Sequence, residues 1–226
     1  MSSVSPSIDI YGRSVEGRAL TSFAYGQGGP LVLIIAGIHG SEPAGVRLAQ
    51  RLRLHVENDP SLLGNVRLVL IENANPDGLD QQQRFNAHGI DLNRNFPAAN
   101  HNPVRDKHVP SPLCEPESHA LHDLIVGLEG LTHVVTLHQP LACIDYDGPE
   151  AATRPLAEAL AQASGLPVKR LGSRAGSMGS WLGVDRGVPT VTVEFTAEDS
   201  ARDSDQLWEA YGEMMLAALR VDQTGA

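Results

Sequence analysis

The sequence predicts one α/β domain, a doubly wound sheet flanked by helices, and three observations support this prediction. Strand-like and helix-like segments alternate along the chain without an internal repeat. The run PLVLIIAGI, residues 30–38, is continuously apolar and typical of a central strand buried on both faces. The 226 residues, 42% of them hydrophobic, suffice for one compact core. We therefore expect residues 1–226 to form a single domain that binds ligands at the carboxyl ends of its strands.

The first half of the chain contains a hairpin, two further strands and one helix. Two alternating runs within residues 7–26 predict an opening hairpin around the turn RSVEG. The apolar strand is followed by apolar residues at helical spacing over 43–56, and NVRLVLIEN, residues 65–73, predicts the next strand. A polar stretch then runs from Asn73 to Ser111. Since so long a stretch without regular structure is uncommon inside one domain unless it is functional, we expect it to build the site.

The second half continues the alternation of strands and helices. Pro116 near the start of one segment and Gly165 at the end of another are typical helix boundary residues. The predicted elements are a helix in 115–128, a strand in 132–138, a helix in 154–165, a strand in 187–196 and a closing amphipathic helix in 204–220.

The composition excludes several classes of partner. The formal charge of -10 repels nucleic acid and anionic membrane surfaces, so neither is an expected partner. The first residues lack a basic segment followed by an apolar one, and no apolar run approaches the length of a transmembrane helix. We expect a soluble, cytoplasmic protein. The two cysteines, Cys114 and Cys143, are too few for a disulfide framework.

Three residues have the arrangement that catalytic zinc requires. His39 and Glu42 lie three residues apart in a turn that follows the apolar strand, and His138 ends a second strand. Three protein ligands leave a fourth position open, as in catalytic zinc sites. Taken alone, the HxxE pair is weak, because Glu42 beside Pro43 also suits the first turn of a helix, where a carboxylate favours the dipole. His138 strengthens the metal interpretation.

Two further polar groups stand out. Glu194 interrupts the sheet-like run PTVTVEFT, where an ionised carboxylate is costly unless it is paired or kept for proton transfer. The alternative is a strand-end glutamate that reaches solvent. The stretch DLNRNFP contains Asp91, which can orient a zinc-bound histidine, and Asn93 and Arg94, whose donors suit a carboxylate. The same stretch also fits a polar loop held by its own Asx turns.

The chain resembles the M14 zinc metallocarboxypeptidases from Gly17 to about Thr196. The resemblance is carried by HGSE at 39–42, DLNRNF at 91–96, the histidine that ends a strand and the glutamate within a later strand. The resemblance implies a zinc carboxypeptidase-like mixed sheet and one Zn²⁺ ion per chain. It also implies these roles: His39, Glu42 and His138 as zinc ligands, Asp91 as the partner of His39, Asn93 and Arg94 as the grip on the substrate's terminal carboxylate, Arg84 as the group that polarises the scissile carbonyl, and Glu194 as the general base.

Within this family, the short length and the segments LHQPLACIDYDGP and GSMGSW resemble the branch that acts on murein peptides. That resemblance implies hydrolysis of the γ-D-glutamyl–meso-diaminopimelate bond of murein tripeptide, a small peptide substrate, in peptidoglycan recycling. It implies that specificity comes from the segment Leu171–Trp181, with Gly179 and Ser180 leaving room for the terminal side chain. In this pocket Arg174 would meet the second carboxylate of diaminopimelate, and Asp145 and Asp147 would meet the distal ammonium. The alternative for Arg174 is a solvated loop cation.

One departure and two rival functions remain open. Many family members carry a mobile tyrosine over the substrate at a position that is Gly172 here, and Tyr25 or Tyr146 would have to supply the hydroxyl from elsewhere. One rival is an N-acyl amino acid hydrolase of the aspartoacylase or succinylglutamate desuccinylase type. The other is a catalytically silent module that captures peptide termini. The sequence leaves the oligomeric state open.

Overall fold

The computed structural model describes residues 5–102 and 109–220, which share a mixed seven-stranded sheet. The strands are β1 (Ser7–Arg13), β2 (Ala19–Tyr25), β3 (Leu31–Ala36), β4 (Arg67–Ile71), β5 (Leu131–His138), β6 (Leu141–Asp147) and β7 (Thr190–Thr196). Their order across the sheet is β1-β2-β4-β3-β5-β7-β6. The four central strands, β4, β3, β5 and β7, are mutually parallel, whereas β1, β2 and β6 are antiparallel to their neighbours.

Helices cover both faces of this sheet. They are α1 (Pro43–Asn58), α2 (Pro76–Asp80), α3 (Pro116–Val126), α4 (Glu150–Ser164) and α5 (Ser204–Leu219), together with a π-helix at Gly179–Asp185. Helices α1, α4 and α5 pack together over one face, and α3 and the π-helix contribute to the core on the other. None of the helices formed by residues 5–102 and 109–220 has the length and apolar character needed to cross a bilayer.

Strand β3 shows why its sequence is continuously apolar. Its side chains alternate between the two cores, and every one is buried, because the strand lies between β4 and β5 with helices on both sides. Leu31, Leu33 and Ile35 enter the core beneath α3, and Val32, Ile34 and Ala36 enter the core beneath α1.

The predicted doubly wound mixed sheet with flanking helices is confirmed, as is the opening hairpin. The sequence did not predict β6, the short α2 or the π-helix. The polar stretch from Asn73 to Ser111 contains α2 and a 3₁₀ turn at Leu92–Arg94, and residues 103–108 of it lie outside the described part.

The topology brings the polar strand ends together at one edge. Strands β3, β5 and β7 are neighbours and run in the same direction, so their carboxyl ends meet. His39 follows β3, His138 is the last residue of β5, and Glu194 of β7 is the register partner of His138. This edge holds the candidate site.

Candidate active site

A tight turn carries the chain from β3 into α1 and presents His39 and Glu42. Gly37 has φ +69°, and a Cβ there would lie 2.7 Å from the side-chain oxygen of Asn73. Gly40 is equally constrained, since a Cβ at this position would lie 1.9 Å from the backbone of Gly78 in α2. The glycines therefore allow the turn to fold close against its neighbours, which leaves both polar side chains directed into the site.

His39, Glu42 and His138 form a buried triad whose ligand atoms converge. Nδ1 of His39 lies 2.9 Å from Oε1 of Glu42, Nδ1 of His138 lies 3.0 Å from Oε2 of Glu42, and the two Nδ1 atoms are 3.2 Å apart. A tetrahedral zinc ion with ligands at about 2.0–2.1 Å separates its ligand atoms by roughly 3.3 Å. The spacing and the two-nitrogen, one-oxygen donor set therefore fit a zinc ion, as the family resemblance predicted.

The helix-capping alternative for Glu42 is not what the structure shows. Glu42 directly precedes α1, but its side chain makes no capping hydrogen bond to that helix. It turns towards the two histidines and accepts a hydrogen bond from the backbone N–H of Gln139. Burial alone would raise the pKa of Glu42, but its close contacts with His138 and His39 lower it to about 2. Glu42 is therefore an anion that faces the triad's centre.

Asp91 fixes the orientation of His39. Nε2 of His39 lies 3.0 Å from Oδ1 of Asp91, and this aspartate has a lowered pKa despite its burial, mainly through the hydrogen bond with His39. An ionised carboxylate only accepts, so the proton of the imidazole belongs on Nε2. Nδ1 is then left with a lone pair directed at Glu42 and His138, which is the tautomer that a metal ligand needs.

Arg84 closes one side of the site. Its Nε and Nη2 contact Oδ2 of Asp91, both at 3.1 Å, and its Nη1 donates to Oε1 of Glu42 at 3.2 Å. The side chain is 39% exposed, so it reaches the open cavity. These contacts use three of the five guanidinium N–H groups, which leaves two directed away from Asp91 and Glu42.

Glu194 on β7 lines the same cavity as Arg84, beside His138 on the neighbouring strand. Burial raises the pKa of Glu194, opposed by the nearby His138 and by the backbone N–H of Leu141, which donates to its Oε2 at 3.3 Å. The side chain is half-buried and lines the same cavity as the triad. The alternative of a glutamate that simply reaches solvent does not hold, because the carboxylate faces the cavity beside the triad.

Asn93 and Arg94 also line the cavity, next to the segment that the sequence identified as the specificity pocket. The Asn93 side-chain carbonyl accepts the backbone N–H of Met178 at 2.9 Å, and Nη1 of Arg94 contacts the Asn93 backbone carbonyl at 2.5 Å. Gly176 makes this approach possible, since a Cβ there would lie 2.2 Å from the Arg94 carbonyl oxygen. The DLNRNF stretch and the GSMGSW stretch thus form adjoining walls.

The cavity itself measures about 240 Å³, below the ~300–1,000 Å³ of sites that enclose drug-sized ligands. This volume suits one terminal residue with its side chain. Of the predicted specificity residues, Arg174, Gly179, Asp145 and Asp147 line it. Ser180 does not: it is buried behind the wall, where its hydroxyl donates to the Arg174 carbonyl at 2.6 Å and accepts from Asn100.

Three cavity residues escaped the sequence reasoning. Thr136 and Thr192 form its floor, their hydroxyls 3.1 Å apart, and each lies two residues before a predicted site residue on the same strand. The period of two in a strand was the available signal. Gln139 accepts from the N–H of Ala44 in α1 and donates to the carbonyl of Thr196, so it ties the helix to the strand behind the site.

No tyrosine of the chain reaches the cavity. All four lie among the described residues, and the hydroxyls of Tyr25, Tyr146 and Tyr211 bond instead to Glu57, Glu150 and Asp199. The fourth, Tyr11 on β1, is half-buried and does not line the cavity. The suggestion that Tyr25 or Tyr146 supplies the missing hydroxyl is therefore wrong.

A mixed α/β sheet with a buried His-Glu-His triad and a carboxylate at its carboxyl edge is the arrangement of a metal-dependent hydrolase. Comparison with known families agrees, since the zinc carboxypeptidase model, peptidase M14, matches residues 3–147. The chain belongs to the M14 zinc carboxypeptidase family and is a hydrolytic enzyme.

Several relatives cover most of the chain. Murein peptide amidase A of Escherichia coli (strain K12) is 36% identical over an alignment of 220 residues that covers 89% of this chain and 86% of the relative. The same protein of Vibrio campbellii (strain ATCC BAA-1116) is 34% identical over 202 residues, covering 81% and 77%. The crystal structure of the murein-tripeptide amidase from Escherichia coli O157 superposes with a TM-score of 0.73 at 34% identity, covering 95% and 92%. Carboxypeptidase A from Helicoverpa armigera shares the fold alone, with a TM-score of 0.78 at 20% identity over 96% and 69%.

Proposed function

We propose that this enzyme hydrolyses the γ-D-glutamyl–meso-diaminopimelate bond of murein tripeptide, a reaction of peptidoglycan recycling. The observation that carries this proposal is that the buried triad, Glu194 and the pair Asn93 and Arg94 face one cavity of single-residue size. The names of the relatives supply the substrate class. A catalytically silent module is not favoured, since the triad, the base and both carboxylate-binding residues are all in place.

In this proposal, His39, Glu42 and His138 hold one Zn²⁺ ion, and Asp91 keeps His39 in its ligating tautomer. Zinc supplies a Lewis acid that polarises the scissile carbonyl and lowers the pKa of water to near 7. Glu194 accepts the proton of the attacking water and returns it to the departing amine. Burial favours this role, because a raised pKa brings a carboxyl closer to the pH at which it exchanges protons efficiently.

Arg84 stabilises the negative charge that develops on the carbonyl oxygen. Its contacts with Asp91 and Glu42 fix the guanidinium while leaving two N–H groups for the substrate. Loss of one such donor usually lowers the rate by ~100-fold or more.

Asn93 and Arg94 bind the free α-carboxylate of the terminal residue, so that the enzyme cuts one residue from the end. A planar guanidinium and an amide offer the paired donors that a carboxylate requires. Arg174, on the facing wall, binds the second carboxylate that diaminopimelate carries at the end of its side chain.

The test measures release of diaminopimelate from L-Ala-γ-D-Glu-meso-diaminopimelate by the zinc-loaded protein. Glu194→Gln should lower kcat by about 10²–10⁴-fold while zinc content stays unchanged, because it removes only the proton acceptor. Glu72→Gln is the matched control, since that glutamate pairs with Arg53 outside the cavity lining.

Parallel reactions with N-acetyl-L-aspartate and N-succinyl-L-glutamate address the rival class. The proposal expects no hydrolysis of either compound. Cleavage of an N-acyl amino acid with the tripeptide left intact would show that the hydrolase class is right and the murein substrate is wrong.

A further inference from the structure

Strand β6 places two aspartates on the wall of the cavity. Asp145 and Asp147 are two residues apart, so they lie on the same face of the strand, while Ile144 and Tyr146 enter the core on the other. Both aspartates line the cavity, and each is only 6% exposed. We call these two residues the acidic pair.

Among the described residues, the groups that donate hydrogen bonds to the acidic pair are uncharged. Oδ1 of Asp145 accepts the backbone N–H groups of Tyr146 and Leu171, at 2.9 and 3.1 Å, and Oδ1 of Asp147 accepts the hydroxyl of Ser173. Within the described part of the chain, neither carboxylate forms an ion pair with a lysine, arginine or histidine. Burial raises the pKa of Asp145 and the neighbouring charge of Asp147 adds to the effect, opposed by the two backbone donors and by the charge of Arg170. The negative charge of the acidic pair is therefore not balanced by an ion pair within the described residues.

Gly179 packs directly against the second oxygen of Asp147. A Cβ on Gly179 would lie 2.2 Å from Oδ2 of Asp147, so a larger residue in this turn of the π-helix would displace the carboxylate. Two carboxylates buried side by side without a cation are costly to maintain. A cation that enters with the ligand would remove this cost.

The register of the sheet gives the separation between the backbones of Glu194 and Asp145. Asp145 is the partner of Thr192, which lies two residues before Glu194 on the adjacent strand. The standard spacings along and between strands place the Cα atoms of Asp145 and Glu194 about 8 Å apart. An extended side chain that carries an amine five bonds from its Cα spans about 6 Å by standard bond lengths. The scissile carbonyl carbon is bonded to the α-nitrogen of the same residue, at the other end of this span.

We propose that Asp145 and Asp147 form an ammonium subsite that selects substrates whose terminal side chain ends in a primary amine. The proposal rests on the proposed function, which places the terminal carboxylate on Asn93 and Arg94; the side chain would then extend within the same cavity, whose lining includes both aspartates of β6. The subsite explains how a cavity with three arginines in its lining accepts a cationic side chain: the acidic pair offsets their charge at one end.

The first test uses the wild-type enzyme and three substrates that differ only in the residue after γ-D-glutamate. Meso-diaminopimelate carries the amine and the distal carboxylate, L-lysine carries only the amine, and L-2-aminopimelate carries only the carboxylate. We expect kcat/KM for the aminopimelate peptide to be roughly 10- to 100-fold below that of the diaminopimelate peptide, the range for one lost hydrogen bond between charged groups. The lysine peptide should also exceed the aminopimelate peptide. Equal rates for diaminopimelate and aminopimelate would overturn the subsite while leaving the murein reaction standing.

The second test uses Asp147→Asn and Asp145→Asn, with Asp123→Asn on the exposed surface of α3 as the control. Each cavity variant should lower kcat/KM for the diaminopimelate peptide and leave that for the aminopimelate peptide within about twofold, since the neutral amide no longer attracts the ammonium. An equal loss for both peptides would mean that the aspartates only maintain the cavity, and the subsite would be wrong.

Binding separates this proposal from the proposed function. If the wild-type enzyme cleaves no γ-D-glutamyl peptide, the proposed function fails, and calorimetry with the zinc-loaded Glu194→Gln protein then tests the subsite alone. Tighter binding of free meso-diaminopimelate than of 2-aminopimelate would support it, and absence of any preference would overturn it.

Discussion

Replacing Asp91 by asparagine should weaken zinc binding without removing a single zinc ligand. In the wild-type protein, ionised Asp91 accepts the Nε2 proton of His39 at 3.0 Å and so leaves Nδ1 free to bind metal. Asparagine keeps the size of the side chain and one carbonyl oxygen. It loses the charge, and its amide N–H₂ group opposes the donors of Arg84, which now contact Oδ2 of Asp91 at 3.1 Å.

The expected magnitude follows from these contacts. A charge-assisted hydrogen bond is about twice as strong as a neutral one, so the asparagine retains part of the orienting effect. Losses of such outer partners typically lower metal affinity by 10- to 100-fold, which corresponds to about 1.4–2.7 kcal/mol of binding free energy. Asp91→Ala should give the upper part of this range, because it also removes the bond to the Asn93 backbone N–H.

The assay is a competition titration of zinc against a chelating dye, which reports affinity without catalysis. Glu72→Gln is the control: its side chain is 13% exposed against 14% for Asp91, and it is likewise paired with an arginine. The control should bind zinc as the wild-type protein does. An unchanged zinc affinity in Asp91→Asn would refute the argument that this carboxylate sets the tautomer of His39.

Three further predictions concern stability. Asp77→Asn should lower the unfolding free energy at pH 7 by about 2–3 kcal/mol, because the fully buried carboxylate accepts bonds from Ser14 and Arg18. Although burial opposes it, these bonds lower the folded-state pKa of Asp77, so its contribution is complete above about pH 4 and is lost as the pH falls through that lowered pKa. Gly40→Ala should cost about 1–3 kcal/mol, since its Cβ would overlap the backbone of α2. Gln139→Leu should cost about 1–3 kcal/mol by leaving buried backbone groups behind the site unpaired.

Urea unfolding measures the stability of all three variants, and a different outcome would contradict each prediction. For Asp77→Asn, a difference from wild type that stayed constant from pH 7 down to pH 2.5 would exclude the pKa argument. For Gly40→Ala, unchanged stability would mean that the turn moves away at no cost. A Gln139→Leu protein as stable as the wild type would show that solvent reaches the backbone groups that Gln139 now satisfies.

Strands whose two faces both pack into apolar cores could be predicted from the sequence. A strand with one apolar face and one buried polar face could not. Strand β3 is apolar throughout because both of its faces are covered, and its sequence alone identifies it. Strand β6 alternates core residues with the buried aspartates Asp145 and Asp147, and its period-two pattern reads as polar. The π-helix contains two glycines, Gly179 and Gly183, that accommodate the side chain of Asp147, and a contact of this kind leaves no local signal.

Site residues could be predicted from the sequence where a polar, chemically reactive residue ends or interrupts an apolar strand. His138 and Glu194 end or interrupt apolar strands, so their residue types were conspicuous, and the register of β5 with β7 places them side by side. Thr136 and Thr192 lie on the same strands, but threonine is an ordinary strand residue and attracts no notice. Ser180 was assigned to the cavity by its position in the chain. A turn of π-helix directs it instead into the wall, where it holds the Arg174 carbonyl.

Gly172 stands where the family resemblance places a mobile tyrosine, and its backbone conformation is one that a tyrosine rarely adopts. Gly172 lines the cavity with φ +79°, and a Cβ added to it would meet no atom within 4 Å, so space is available while the conformation is not. A tyrosine there would be strained unless the loop refolded. With all four tyrosines held elsewhere, the donors that face the substrate in the proposed mechanism are those of the cavity arginines and Asn93. In the proposed mechanism, Arg84 therefore stabilises the developing charge without the help of a phenolic hydroxyl, and we expect its replacement by alanine to lower kcat by ~100-fold or more.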